Sequence, residues 1–210
     1  MTNVSLISVT PDAEKTIGYC ARVRNPSNQD NPAIEGLLSF CVKHGHWSVF
    51  EMANMVVEIE TTRGIAAQIL RHRSFSFQEF SQRYAEVEGF EEIEPRRQDT
   101  KNRQNSLDDL DKYDKEWFYI SLREQNRRSH SSYKEALKRG IAKESARFLL
   151  PLNTITRMYM NGTLRSWIHY IQLRTDASTQ KEHRDIANEI KELFIDQFPI
   201  IGMALDWERE

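Results

Sequence analysis

Residues Arg71 to Arg83 read RHRSFSFQEFSQR. Three guanidiniums, an imidazole, a carboxylate, two amides and three hydroxyls are interleaved with Phe75, Phe77 and Phe80. The rings demand burial, and the arginines cannot shed their charge. A fold that accepts this stretch must seat the rings in or beside its core and still hold several forks of positive charge close by. Forks crowded together repel one another unless anions lie among them. Two arrangements satisfy that requirement. One is an ion-pair network, with Glu79 and nearby acids as partners. The other is a pocket for phosphates with aromatic walls. The phenylalanines weigh against a purely solvated face and favour the pocket.

The rest of the chain restricts what kind of protein carries such a pocket. With 210 residues, a single domain (residues 1–210) with a substantial core is expected. A net charge of −2 gives no overall field toward nucleic acid or an anionic membrane. Hydrophobic residues make up 39% and charged residues 29%, a globular balance rather than a disordered one. No apolar run is long enough to span a bilayer, and the N-terminal residues show no basic and apolar signal pattern, so the cytoplasm is the expected location. Cys20 and Cys41 fall in helical patterns and read as core residues of a reducing compartment. Cys41, His44 and His46 match no zinc spacing, and no metal is expected. The absence of GxGxxG, GxxxxGK[ST] and GxSxG removes support for a dinucleotide Rossmann fold, a Walker NTPase and an α/β-hydrolase.

Periodicity gives the coarse architecture. Val4–Val9 and Met55–Glu60 read as strands. Thr10-Pro11 and Asn31-Pro32 read as helix starts, and Gly45 as a stop. Gly64–Leu70 reads as a helix that delivers Gln68 and Arg71. Glu88–Ser106 is polar and aperiodic, a loop or flap. Leu107–Arg139 is strongly helical and highly charged, so much of it is expected to face water or another subunit. Ala142–Leu149 is a short helix stopped by Pro151, and Gly162–Leu173 repeats helical spacing. Thr179 and Glu182 form a capping box ahead of a last helix that turns Ile186, Ile190, Leu193 and Phe194 inward. Helix dominates, with a few strands early, which makes the class α+β.

Two further basic groups stand out. Arg147 enters the apolar run FLLP and is either a snorkelling cation or a paired, buried one. Arg165 and His169 share a helical face, with Arg174 just beyond the last apolar position, where a helix C-terminus favours cations in any case.

RHR, seven residues and then S-x-R resembles the signature of the flavin-dependent thymidylate synthases. HGHWSVFE (residues 44–51), ARFLLPL (146–152) and TLRSWIHYIQLR (163–174) are similar to further segments of that family, in the family's order, from about Ser5 to Trp207. The resemblance implies a mostly helical α+β fold with a small mixed or antiparallel sheet, like that of the thymidylate synthase-complementing proteins. It implies methylation of dUMP to dTMP, with 5,10-methylenetetrahydrofolate as carbon donor and NADPH as reductant through FAD. It also implies a homotetramer whose active sites draw on several subunits. Gln68, Arg71, Glu79, Ser81, Gln82, Arg83, Arg147 and Arg174 would then meet dUMP, with Arg83 on the phosphate and Arg174 as the activating residue. Ser48, Arg71, His72, Arg73, Glu79, Thr163, Arg165 and His169 would contact FAD. Arg24, Thr163 and Ser178 depart from residues common in the family at those positions, so individual flavin contacts there are expected to differ.

Two alternatives lie outside that reading. A single-stranded nucleic-acid binder would stack bases on Phe75, Phe77 and Phe80, although the chain lacks an extended basic stripe. A nucleotide-binding protein without catalysis would keep the pocket alone. Within the enzyme reading, Cys20 and Cys41 lie away from the basic motif. Catalysis is therefore expected to proceed without a covalent thiol, with Arg174 acting electrostatically.

Overall fold

The computed structural model describes residues 3–87 and 89–207. The chain opens with β1 (Asn3–Val9), α1 (Ala13–Ala21) and α2 (Glu35–Lys43). A 3-10 turn over Trp47–Glu51 leads into β2 (Asn54–Thr62) and α3 (Arg63–Ile69). After β3 (Ser76–Glu79) come two short strands, β4 (Arg97–Gln98) and β5 (Ser106–Leu107), then the long α4 (Lys112–Lys138) and the short α5 (Lys143–Ala146). The chain closes with β6 (Ile155–Thr163), α6 (Leu164–Arg174), α7 (Lys181–Gln197) and α8 (Pro199–Ala204).

Four strands form an antiparallel sheet in the order β1-β2-β6-β3. The α+β class expected from the sequence holds, but the strands are not confined to the first part of the chain. β6 lies at the centre of the sheet, and its alternation is legible afterwards: Thr156, Met158 and Met160 are buried, while Arg157, Tyr159 and Asn161 face out. One face of β2 and β6 carries Met55, Val57, Ile59, Met158 and Met160 into a core with Trp167 and Ile171 of α6 and Ile186, Ile190 and Phe194 of α7. On the other face, Glu60 sits directly across from Arg157, and their side chains pair at 2.6 Å. One dry and one wet face is the usual state of an antiparallel sheet.

Several local expectations were wrong for identifiable reasons. Thr10 caps no helix; its Oγ1 accepts from the Asn54 amide at 2.9 Å and ties β1 to β2, while α1 starts later, behind Asp12. Asn31 folds its side chain onto the Ala33 amide, and α2 waits until Glu35. The Thr179–Glu182 capping box does not form, because Thr179 donates to the Leu173 carbonyl and Glu182 is taken by Arg96. Gly162 and Thr163 end β6, so helix begins only at Leu164. Leu107 belongs to β5, and α4 begins at Lys112 behind the cap Asp111. Gly45, at φ +68°, does close α2: the His46 and Gly45 amides donate back to Cys41 and Val42, a Schellman stop.

The expected loop is better ordered than its composition suggested. Glu88, its first residue, lies outside the described residues. Beyond it, β4 and β5 pair as a small hairpin. Arg96 anchors this hairpin, donating to Ser106 Oγ at 3.1 Å and to Glu182 at 2.6 Å, with both members of the ion pair largely buried. Burial alone would push the Glu182 carboxyl up; hydrogen bonds from Arg96, its own backbone amide and Gln180 outweigh it and hold the group below the usual carboxylate range.

Candidate active site

Thr62 caps α3 by accepting the Ile65 amide, and the helix ends in tight turns through Arg71 and His72. Phe75 fixes the path of the chain beyond those turns. It packs against Trp167 and Tyr170, with ring centroids at 4.7 and 5.9 Å. It lies so close over Gly162 that a Cβ there would stand 2.5 Å from its ring. With this ring pinned, Arg71, Arg73 and Ser74 are left exposed. Phe75 is therefore an anchor and has no face to offer a base, against the stacking role of the nucleic-acid reading.

Among the described residues, neither Arg71 nor Arg73 has a carboxylate partner. The acid nearest in sequence, Glu79, is held by Arg63 at 2.5 Å and by Thr156 at 3.2 Å. The ion-pair network considered from the sequence thus fails at these two residues, and their charge is available to an anion.

Arg174, at the last turn of α6, returns to the same segment. Its Nε donates to His72 Nε2 at 2.9 Å, and its terminal nitrogens have no protein partner among the described residues. A donor at that distance requires a lone pair on the imidazole. Burial first, then the charge of Arg174, with His169 and Arg71 adding to it, lowers His72 to about 4, so the ring is neutral at physiological pH. Gln68 lies at the end of α3, and its amide donates to Gln180 at 2.6 Å.

A cleft of about 490 Å³ opens between the 47–51 turn and α6, lined by Trp47, Glu51, Ser74, Arg165, Ser166 and His169, with others. Two of the expected flavin contacts, Arg165 and His169, are in its wall. Arg165 is held by Glu51 at 2.5 Å, but both side chains are about half exposed. Such a pair is worth about 0–1 kcal/mol, little enough for a phosphate to displace it. Thr163 spends its hydroxyl on the Ser166 amide as the cap of α6. Ser48 faces a different cleft of about 640 Å³, with Arg24, Cys20, Cys41 and His46. Ser178, the third departure, closes a turn onto Asp176.

The donors around the first cleft fit a flavin dinucleotide. Arg165, whose exposed pair with Glu51 an anion can displace, stands beside the Ser74 and Ser166 hydroxyls for a pyrophosphate, and Trp47 and Ile168 give an apolar wall.

The second arm of the motif is elsewhere. β3 alone spans about 10 Å, and it separates Arg71–Arg73 from Ser81–Arg83. Ser81 Oγ accepts from the Arg83 amide. Gln82 is buried, and its Nε2 lacks a partner among the described residues. Arg83 meets Glu144 at 3.3 Å with both side chains more than half exposed. Among the described residues Arg147 has no acid partner; its guanidinium lies 5.5 Å from the Phe148 ring centroid. Within one chain the structure bonds His72 to Arg174 and Gln68 to Gln180, while β3 lies between His72 and the Ser81–Arg83 segment.

The sequence reading missed His183 and Tyr170. His183 is fully buried, and its Nε2 lies 3.1 Å from the Tyr170 hydroxyl. Its spacing on α7 with Ile186, Ala187 and Ile190 was a usable sign: an imidazole on an inward stripe calls for a partner.

The sequence model of the family described as "Thymidylate synthase complementing protein" matches residues 5–200. The flavin-dependent thymidylate synthase of Synechocystis sp. is 57% identical over 92% of this chain and 90% of its own length. The protein named "Probable flavin-dependent thymidylate synthase" in Paramecium bursaria Chlorella virus 1 is 54% identical over 98% of this chain and 99% of its own. Among solved structures, the UMP/dUMP methylase PolB of Streptomyces cacaoi superposes with a TM-score of 0.88 across 100% of this chain and 97% of its own, at 22% identity, a likeness of fold. The RHR signature, the strand-to-helix frame that presents it and these matches agree: the chain belongs to the thymidylate synthase complementing protein family, the flavin-dependent thymidylate synthases.

Proposed function

We infer that this chain methylates dUMP at C5 to give dTMP as an FAD-dependent methyltransferase, with 5,10-methylenetetrahydrofolate as carbon donor and NADPH as reductant. The observation that carries the reading is Arg174: a half-buried guanidinium with no acid partner among the described residues, fixed at Nε by a neutral histidine and presenting its terminal nitrogens.

Uracil C5 is a weak nucleophile, and one remedy is a thiolate added at C6. Neither thiol here is placed for it. Cys20 and Cys41 share the second cleft, on α1 and α2. Burial pushes the Cys41 thiol up, away from thiolate. Arg174 offers an electrostatic route. Set against the N3–O edge of the base, a permanent cation favours the deprotonated or oxyanionic form and moves electron density toward C5. Arg cannot act as the base at neutral pH, so it polarises and orients. Gln68 and Arg71 would hold the base and the sugar phosphate near Arg174. Arg83, with Ser81, Gln82 and Arg147, would bind a phosphate. Arg73, Arg165 and His169, with Ser48, Thr163 and Glu79 further out, would bind FAD. When bound, that cofactor supplies the reducing equivalents.

The diverging arms of the motif support a homotetramer whose sites combine residues of different chains. So do exposed apolar side chains such as Tyr113, Trp117, Phe148 and Leu152. Residues 1–210 would act as one domain. Among the described residues no helix is long and apolar enough to cross a membrane, and the cytoplasm is the proposed location.

The decisive assay is tritium release from C5-labelled dUMP with folate and NADPH, with and without FAD. Wild type should release tritium only with FAD. Arg174→Ala should keep the flavin absorbance and lose release and dTMP formation. An active Arg174→Ala protein would remove the assignment.

A further inference from the structure

His72, Tyr170 and His183 form a cluster of three rings behind Arg174. The His72 ring meets Tyr170 edge to face at 4.9 Å and His183 at 6.1 Å, with interplanar angles of 76° and 86°. Tyr170 and His183 are both fully buried and touch neither cleft. Their contact is the hydrogen bond between the phenol and His183 Nε2. The other ring nitrogen of His183, Nδ1, is buried without a partner among the described residues. An orphaned buried polar atom works against stability. An aliphatic side chain of similar size would fill this place without that penalty. Such a departure from ordinary core chemistry marks positions that serve the site.

We propose that His183 and Tyr170 are positioning residues for the thymidylate synthase reaction: their hydrogen bond locks the Tyr170 ring against His72, and His72 in turn holds Arg174 at the angle the substrate needs. This rests on the role proposed for Arg174. The chain of contact is continuous, from His183 Nε2 to the Tyr170 hydroxyl, from the Tyr170 ring to the His72 ring, and from His72 Nε2 to Arg174 Nε. His183 is also neutral: burial, then the charges of Arg174 and His72, lowers it to about 3. Burial pushes the Tyr170 phenol up, so that it keeps its proton. The buttress is therefore uncharged and leaves the Arg174 cation unscreened for the substrate. Its action is geometric, and displacement by about an ångström from such a position can cost on the order of a hundredfold in rate.

The test is the paired variant Tyr170→Phe with His183→Leu. It removes both hydrogen-bonding partners together, keeps volume and leaves no orphan, so its unfolding temperature should equal or exceed that of wild type. Its kcat for dTMP formation should fall tenfold or more, with flavin absorbance and the KM for dUMP little changed. His183→Gln alone, which keeps the Tyr170 phenol and can reach it, should retain most of the wild-type rate. A merely structural pair would instead lower the unfolding temperature in step with the activity. A stable paired variant with wild-type kcat overturns the inference. A wild-type protein without FAD-dependent tritium release overturns the enzymatic reading itself, so the two failures are distinguishable.

Discussion

Gly162 has no Cβ, and the Phe75 ring occupies the space one would fill. That ring holds Arg71–Ser74 against α6, so a single missing methyl helps to place the cationic segment. Adding it forces the ring or the strand to move, since neither Trp167 nor Tyr170 leaves room behind Phe75. Gly162→Ala is expected to lower the unfolding free energy by about 1–3 kcal/mol, the usual range for overpacking a core. Urea unfolding measures it, and a variant as stable as wild type would show that Phe75 is not confined. Placement matters equally for Arg71 and Arg73. Their type marked them as anion binders, but only the fold showed that Glu79, four residues past Phe75, is committed to Arg63.

The β4–β5 hairpin is the element on which composition misled most. Its residues are polar and aperiodic because side-chain bonds to other elements, rather than a hydrophobic face, hold it. The bonds run in series: Ser106 to Arg96, Arg96 to Glu182, Glu182 to Gln180, Gln180 to Gln68. The series ends at Gln68, a candidate substrate contact. Arg96→Ala leaves Glu182 buried without its cation and should cost about 3–5 kcal/mol, the range for breaking a buried pair. Hydrogen exchange should speed up first in residues 97–107. Unchanged exchange there would mean that the hairpin stands without its anchor. α4 shows the opposite case. Its charge predicted exposure correctly, with only Ser129, Tyr133 and Ala136 buried, and Asp111 caps it as a sequence reader would hope.

At the scale of the whole molecule, the sheet sets the two arms of the motif apart. His72, which holds Arg174, lies before β3, and Ser81–Arg83 lie beyond it. In the proposed oligomer, a nucleotide that contacts both Arg174 and Arg83 would take them from different copies of the chain. Arg174→Ala and Arg83→Ala proteins, each inactive or poorly active alone, should complement when refolded together. With random assortment roughly a quarter of the sites, the product of two halves, regain both residues. Absence of any recovery in mixed oligomers would place both arginines in one chain's site.

The order of residues in RHRSFSFQEFSQR, HGHWSVFE and TLRSWIHYIQLR was enough to identify the family, because side-chain chemistry at fixed spacing is written directly in the chain. The α+β class and the inward stripe of α7 were equally legible, since a period of two or 3.6 is a local property. Folding alone decided which charges were spent on protein partners and which were left for a ligand. It set β6 in the middle of the sheet and brought His183 to Tyr170 and His72 to Arg174 across 13 and 102 residues of sequence. Such pairings depend on distance in space, which a one-dimensional pattern does not carry.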